Sequence, residues 1–149
     1  QEFITTFETL LCRFALLNAP TVVCVNGNAY AGGAILASAA DFRVMRSDRG
    51  RFCFPEVNIK IPFSPVTNAV VQMLPNKQAL KNMMLTGVAH TGLECADLQI
   101  VDAIYPMESL QSATFELAKT LASKDRSTYT TIRNLMRPDI GAHLHNLTQ

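Results

Sequence analysis

The sequence predicts an α/β fold, and three stretches carry that prediction. Thr21-Val22-Val23-Cys24-Val25 is an apolar run with the length and β-branched content of a buried strand. Asn26-Gly27-Asn28 breaks it, and Ala31-Gly32-Gly33 then opens an apolar helical run from Ala34 to Ala40 that stops near Asp41. A second β-like run, Phe42 to Met45, follows, and helical periodicity dominates the rest of the chain. A strand, a glycine turn and a helix start gather free backbone N–H groups at one point, where they can hold an anion or a developing oxyanion.

The elements are justified in chain order. Phe3 to Leu17 reads as an amphipathic helix, with Phe3, Phe7, Leu10, Leu11, Phe14 and Leu17 at three- and four-residue steps, and Asn18-Ala19-Pro20 ends it. The strand, turn, helix and second strand come next. The basic segment Arg46-Ser47-Asp48-Arg49-Gly50-Arg51 separates them from Phe52-Cys53-Phe54-Pro55-Glu56. Pro62 to Pro65 is a loop, Val66 to Leu74 a short helix ending near Pro75, and Lys77 to Thr86 another, closed by Gly87 as a C-cap. Thr91-Gly92-Leu93-Glu94 has the form of a capping box ahead of a helix from Glu94 to Leu98. Ile100 to Ile104 reads as a short strand, Met107 to Ser123 as a long helix and Ser127 to Met136 as another, stopped by Pro138. Asp139 to Gln149 fits neither period. The chain divides into a core, residues 1–106, and a helical segment, residues 107–149.

Composition sets the outer bounds. The 149 residues are 48% apolar, enough for a core, and their formal net charge of +1 gives no argument for a nucleic-acid or membrane-surface partner. No run approaches the roughly 20 apolar residues of a membrane-spanning helix. The four cysteines, Cys12, Cys24, Cys53 and Cys95, lack zinc-knuckle spacing and sit among apolar neighbours, so they are expected as free, buried thiols. His143 and His145 are too few for a metal site, and His90 has no matching partner. Met83-Met84 reads as core filling, and Arg46, Arg49 and Arg51 as a solvated loop.

Two features carry chemistry. Gly32 and Gly33, with Ala31 before them, place N–H groups at a helix start. Taken alone they are better read as allowing close helix–strand packing. Glu56 follows an apolar Phe-Cys-Phe-Pro run, which favours a half-buried cleft where desolvation raises its pKa. A carboxylate close to an oxyanion site is the minimum equipment for moving a proton alpha to a carbonyl.

The order of these residues resembles the enoyl-CoA hydratase/isomerase (crotonase) superfamily. Pro20 to Asp41 is similar to its P-x-hydrophobic-x-x-V-N-G-x-A-x-G-G-G-x-x-L-A-x-x-x-D pattern, and Phe52 to Val57 to its F-x-x-P-E-hydrophobic segment. Leu85-Thr86-Gly87, Ala96-Asp97 and Ile100-Val101-Asp102 resemble its later L-T-G and A-x-x-x-G-L-V-D region, so the likeness runs from about Pro20 to about Pro106. The resemblance implies a partial crotonase-like ββα spiral followed by C-terminal helices through which family members form trimers, often paired as hexamers.

Within the superfamily the details resemble Δ3-Δ2-enoyl-CoA isomerases. Hydratases carry a second carboxylate two residues after the last glycine, where this chain has Ile35. The first glycine of the triplet is Ala31, and Lys60 replaces a glycine common after the Glu segment. Arg46 to Gly50 resembles the peroxisomal isomerases of plants. The implied reaction shifts a 3-enoyl-CoA double bond to trans-2-enoyl-CoA in unsaturated fatty-acid oxidation. Glu56 is then the catalytic base, and Gly32, with Gly33 and Ala31, binds the substrate oxyanion. No metal or redox cofactor is needed, and CoA enters as part of the acyl-CoA substrate. The implied compartment is the peroxisome or the mitochondrion. Two alternatives stay open: another crotonase reaction such as enoyl-CoA hydration, and a non-catalytic structural subunit of a larger assembly.

Overall fold

The computed structural model describes residues 1–149 as nine helices and two three-stranded sheets. Helix α1 (Glu2–Ala15) leads into β1 (Val22–Val25), β2 (Ala29–Tyr30), α2 (Gly32–Ser38), β3 (Phe42–Arg46) and β4 (Arg51–Cys53). Three short helices follow, α3 (Glu56–Ile59), α4 (Pro65–Val71) and α5 (Lys77–Thr86). Then come β5 (Ala89–Thr91), α6 (Gly92–Asp97) and β6 (Ala103–Tyr105). The chain ends with α7 (Met107–Ala122), α8 (Arg126–Leu135) and α9 (Pro138–Leu147). One sheet runs β1-β3-β6, all parallel; the other runs β2-β4-β5, with β2 and β4 parallel and β5 antiparallel to β4. Phe52, Phe54, Leu11, Met45 and Leu74 are among the largest side chains of the core between them.

Local chemistry explains the boundaries. Ser64 and Thr67 form a reciprocal capping box at α4, with Pro65 at its first position, so the expected loop ends one residue early. Thr91 and Glu94 cap α6 in the same way, and Asn76 caps α5. Gly87 closes α5 at φ 72°, a conformation in which any Cβ would strike Asn58.

Several expectations are corrected. Pro138 stops α8 and also starts α9, because a proline needs no N–H at a first helical position. The strand expected from Ile100 begins at Ala103, since Gln99 takes φ 60° and turns the chain while Ile100 and Val101 pack into the core. Cys24 is exposed while Cys12, Cys53 and Cys95 are buried, because strand side chains alternate faces and Cys24 points outward. Helix α1 buries Leu11, Cys12 and Ala15, whereas Phe3, Leu10 and Leu17 are exposed. Of the predicted stripe, Leu11 is buried and Phe7 and Phe14 pack against the core, so the stripe faces the core only in part.

The helical end is pinned by one carboxylate. Asp41, its side chain 4% exposed, accepts hydrogen bonds from Arg133 Nη1 at 2.8 and 3.0 Å, from the Tyr129 hydroxyl at 2.6 Å and from the Thr21 N–H at 3.1 Å. Arg137 Nη1 lies 3.3 Å away and donates to the Ala15 carbonyl at 2.6 Å, while Arg133 Nη2 donates to the Leu17 carbonyl. Burial and the Asp41 charge push the Tyr129 hydroxyl pKa well above its usual range. One residue thus ties α8 and α9 to the end of α1, the start of β1 and the end of α2. Asp41→Asn leaves two buried guanidinium groups short of a counter-charge. It is expected to cost about 3–5 kcal/mol in denaturant unfolding, the scale for breaking a buried ion pair on one side.

Candidate active site

Two short strands bring the glycine turn and the carboxylate together. In the parallel pair β2–β4, Ala29 stands opposite Phe52 and Tyr30 opposite Cys53. The Ala31 N–H extends this ladder with a 3.1 Å bond to the Cys53 carbonyl. Immediately past that rung one chain turns into Gly32 and the other runs through Phe54 and Pro55 to Glu56. Residues 24 apart in sequence (56 − 32) therefore line one cavity of about 300 Å³.

Gly32 is the first residue of α2, and the first helical bond is donated by the Ile35 N–H to the Ala31 carbonyl at 2.9 Å. The N–H groups of Gly32, Gly33 and Ala34 thus stand outside the helical ladder, and no side chain caps them. Gly32 and Ala31 line the cavity, whereas Gly33 is exposed and does not. Space is not the reason for glycine at position 32, because a Cβ there would meet only Phe7 Cζ at an ordinary 3.6 Å. Ala31 holds φ 51°, ψ −119°, a conformation suited to glycine.

Glu56 is the first residue of the one-turn helix α3 and is 6% exposed. Its Oε1 is buried without a hydrogen-bond partner. Desolvation raises its pKa above the usual carboxylate range, against a smaller backbone hydrogen-bond contribution in the other direction. The helix is held in place by the Asn58 side chain, which donates to the Thr86 carbonyl at 3.2 Å, and closed by Lys60 at φ 60°. Behind Glu56 the rings of Phe52, Phe54 and Phe63 form a chain of edge contacts at 5.6 and 6.0 Å. Ile35 is buried at 6% exposure and lines the cavity as an apolar wall.

The structure also brings to the cavity residues that the sequence reading did not assign to the site. Phe7 and Glu8 from α1 enter the cavity, as do Ile61 and Phe63 from the segment after α3. Glu8 follows Phe7 on the helix, and only its adjacency to that cavity-facing ring could have marked it. Arg49 and Arg51 line a separate polar depression that shares no residue with the Glu56 cavity, and Arg46 is paired to Asp48 at 2.8 Å. His90 is buried 3.5 Å from Glu94, also outside the cavity. No three His, Cys, Asp or Glu side chains are grouped as for a metal ion, and no helix is long and apolar enough to cross a membrane.

With this geometry established, comparison with known proteins is informative. Residues 1–148 match the model of the family described as enoyl-CoA hydratase/isomerase. Enoyl-CoA delta isomerase 3 of Arabidopsis thaliana is 31% identical over 145 residues, covering 94% of this chain and 61% of that protein. Enoyl-CoA delta isomerase 2, peroxisomal, of the same plant is also 31% identical over 145 residues, covering 94% of this chain and 60% of that protein. The chain therefore spans about three fifths of the length of these curated relatives. A crystal structure of an enoyl-CoA hydratase from Mycobacterium marinum superposes with a TM-score of 0.88 at 19% identity, covering 99% of this chain and 67% of that one, a likeness of fold. The α/β architecture with C-terminal helices is the crotonase fold.

Two stability measurements follow from the site. Ala31→Gly relieves a positive-φ alanine and is expected to stabilise the protein by about 1 kcal/mol; an unchanged or lowered denaturation midpoint would contradict the strain. For Glu56, a carboxyl whose folded pKa is raised contributes stability that is fully present below the ordinary glutamate range. That stability is lost as pH rises from about 4 towards the raised value. Glu56→Gln removes this dependence, so its melting temperature should exceed that of the parent at neutral pH and the difference should shrink on acidification. A lower neutral-pH melting temperature would show that the ionised form is the favoured one.

Proposed function

The chain belongs to the enoyl-CoA hydratase/isomerase family, and from that premise we propose that it shifts the double bond of a 3-enoyl-CoA to give trans-2-enoyl-CoA. The observation that carries this reading is the buried, unpartnered Glu56 Oε1 in the same cavity as Gly32. The Gly32 N–H donates to the acyl thioester oxygen and polarises the carbonyl, which acidifies the C2 proton. Glu56 takes that proton, leaving a dienolate whose negative charge rests largely on the thioester oxygen held by the same donor. The protonated Glu56 then delivers the proton to C4, the double bond settles between C2 and C3, and the carboxylate is regenerated. Burial suits Glu56 to both halves of this shuttle, because a pKa moved up towards neutrality eases return of the proton.

The apolar wall at Ile35 favours isomerisation over hydration, since no carboxylate stands there to activate a water molecule. The proposed reaction calls for no metal or redox cofactor, with CoA entering only as part of the substrate. The proposed compartment is the peroxisome, named for the second Arabidopsis relative, or the mitochondrion. We propose a homotrimer or hexamer assembled through the C-terminal helices. Phe115, Ile132, Leu135 and Met136, 57–76% exposed on α7 and at the end of α8, support that assembly.

Glu56→Gln in the purified protein should lower isomerisation by at least about 10²-fold while acyl-CoA affinity stays within a few-fold. The absorbance of the conjugated thioester reports the reaction directly. Activity within a few-fold of the parent would remove Glu56 from the mechanism. Rapid loss of that absorbance on mixing the parent with a 2-enoyl-CoA would replace the isomerase by a hydratase.

A further inference from the structure

The cavity contains a second carboxylate that the proposed proton shuttle does not use. Glu8 is half-buried, lines the same cavity as Glu56, and its carboxylate takes part in no hydrogen bond or ion pair within the chain. It projects from α1 directly after Phe7, whose ring lies at the surface of Gly32. No basic residue lines the cavity, and the walls around Glu8 are apolar: Phe7, Ile35, Ile61 and Phe63.

The hydroxyls nearby are already committed. Helix α4, packed against α1, contributes Ser64 and Thr67 to the same wall. These two cap each other: the Ser64 N–H donates to Thr67 Oγ1 at 2.9 Å, the Thr67 N–H donates to Ser64 Oγ at 3.1 Å, and the hydroxyls lie 3.2 Å apart. No side chain lining the cavity therefore donates to Glu8. A plain alkyl chain laid against it strips water from a carboxylate and offers no donor in return. A chain carrying a hydroxyl supplies the missing donor, and hydrogen bonds to charged groups are among the strongest available.

We propose that Glu8 is a specificity-determining residue of the acyl cavity, selecting acyl chains that bear a hydroxyl over unsubstituted alkyl chains. This rests on the acyl-CoA reading above and deepens it by naming the class of acyl group.

The test uses unreactive ligands. A homologous series of saturated acyl-CoA thioesters and their ω-hydroxy counterparts is titrated into the purified protein by calorimetry. The expected result is that, at the chain length reaching Glu8, the hydroxylated ligand binds at least about tenfold tighter. Glu8→Leu should erase this preference and strengthen binding of the alkyl ligand. Glu8→Gln, whose amide oxygen still accepts, should keep part of it. Circular dichroism checks both variants, and if Glu8→Leu does not fold, a several-fold fall in preference in the near-isosteric Glu8→Gln supports the assignment. Equal affinities for the two series at every length, or a preference that survives Glu8→Leu, overturns it. Turnover of a 3-enoyl-CoA is measured in parallel. Turnover without hydroxyl preference sinks the selectivity alone, and hydroxyl preference without turnover sinks the isomerase reading alone.

Discussion

The constraint on which the rest depends is the burial of one carboxylate between two guanidinium groups. Asp41 lies directly beyond α2, so what holds Asp41 also holds the C-terminal end of the helix whose N-terminal end presents Gly32. Arg43 reinforces the same end: its buried guanidinium donates to the carbonyls of Ala37 and Ala40 at 3.2 and 3.0 Å, and its Nε to the Ile100 carbonyl at 2.9 Å. Cations at a helix C-terminus satisfy orphan carbonyls and complement the dipole. A seven-residue helix is too short to hold itself in place. It is held at its far end by arginines from β3, α8 and the cap of α9.

Much of this was legible in the sequence, and the legible parts share a cause. Strands β1 and β3, the glycine turn, the Thr91–Glu94 capping box and the Gly87 C-cap are each written in a few contiguous residues, whereas the Ser64–Thr67 box was read as part of a loop. The α2 start and the carboxylate of the Phe52–Glu56 segment were legible for the same reason, their local chemistry being sufficient. What escaped depends on pairings across the chain. Strands β2 and β5 are two and three residues long, too short for any periodicity, and exist only because β4 lies between them. Yet the β2–β4 pairing is what joins Gly32 to Glu56. The roles of Tyr129, Arg133 and Arg137 were equally hidden, because their shared partner is about 90 residues away. Helix α1 misled through its pattern: apolar residues at helical spacing marked both a core-facing side and a cavity-facing side, and periodicity alone does not separate the two.

Strain and unsatisfied groups occur at the cavity and elsewhere: Gln99 at positive φ and the His90 ring, which makes no hydrogen bond, lie away from it. Ala31 and Lys60 both adopt positive φ, the first beside the glycine N–H groups and the second closing the turn that carries Glu56. Neither is glycine, so each costs stability that its surroundings must supply. Glu56 is buried with a free oxygen, and Glu8 sits half-buried without a donor. The Asp41 cluster shows the opposite policy: comparably buried charge there is fully partnered. The contrast separates two environments for acids within one chain, one fully partnered and one without a partner from the chain.

That contrast also bears on how the proposed proton shuttle and the proposed selectivity coexist. Two carboxylates line one cavity in different surroundings. Glu56 is the more deeply buried and sits on a one-turn helix backed by the Phe52–Phe54–Phe63 ring chain. Its proton affinity is therefore set by desolvation, the property a base needs if it is to hand the proton back. Glu8 is only half-buried, on α1, and lines the same cavity. On the proposed reading an acyl chain entering the cavity meets both acids, and a hydroxyl on that chain supplies Glu8 with a donor while Glu56 takes the C2 proton.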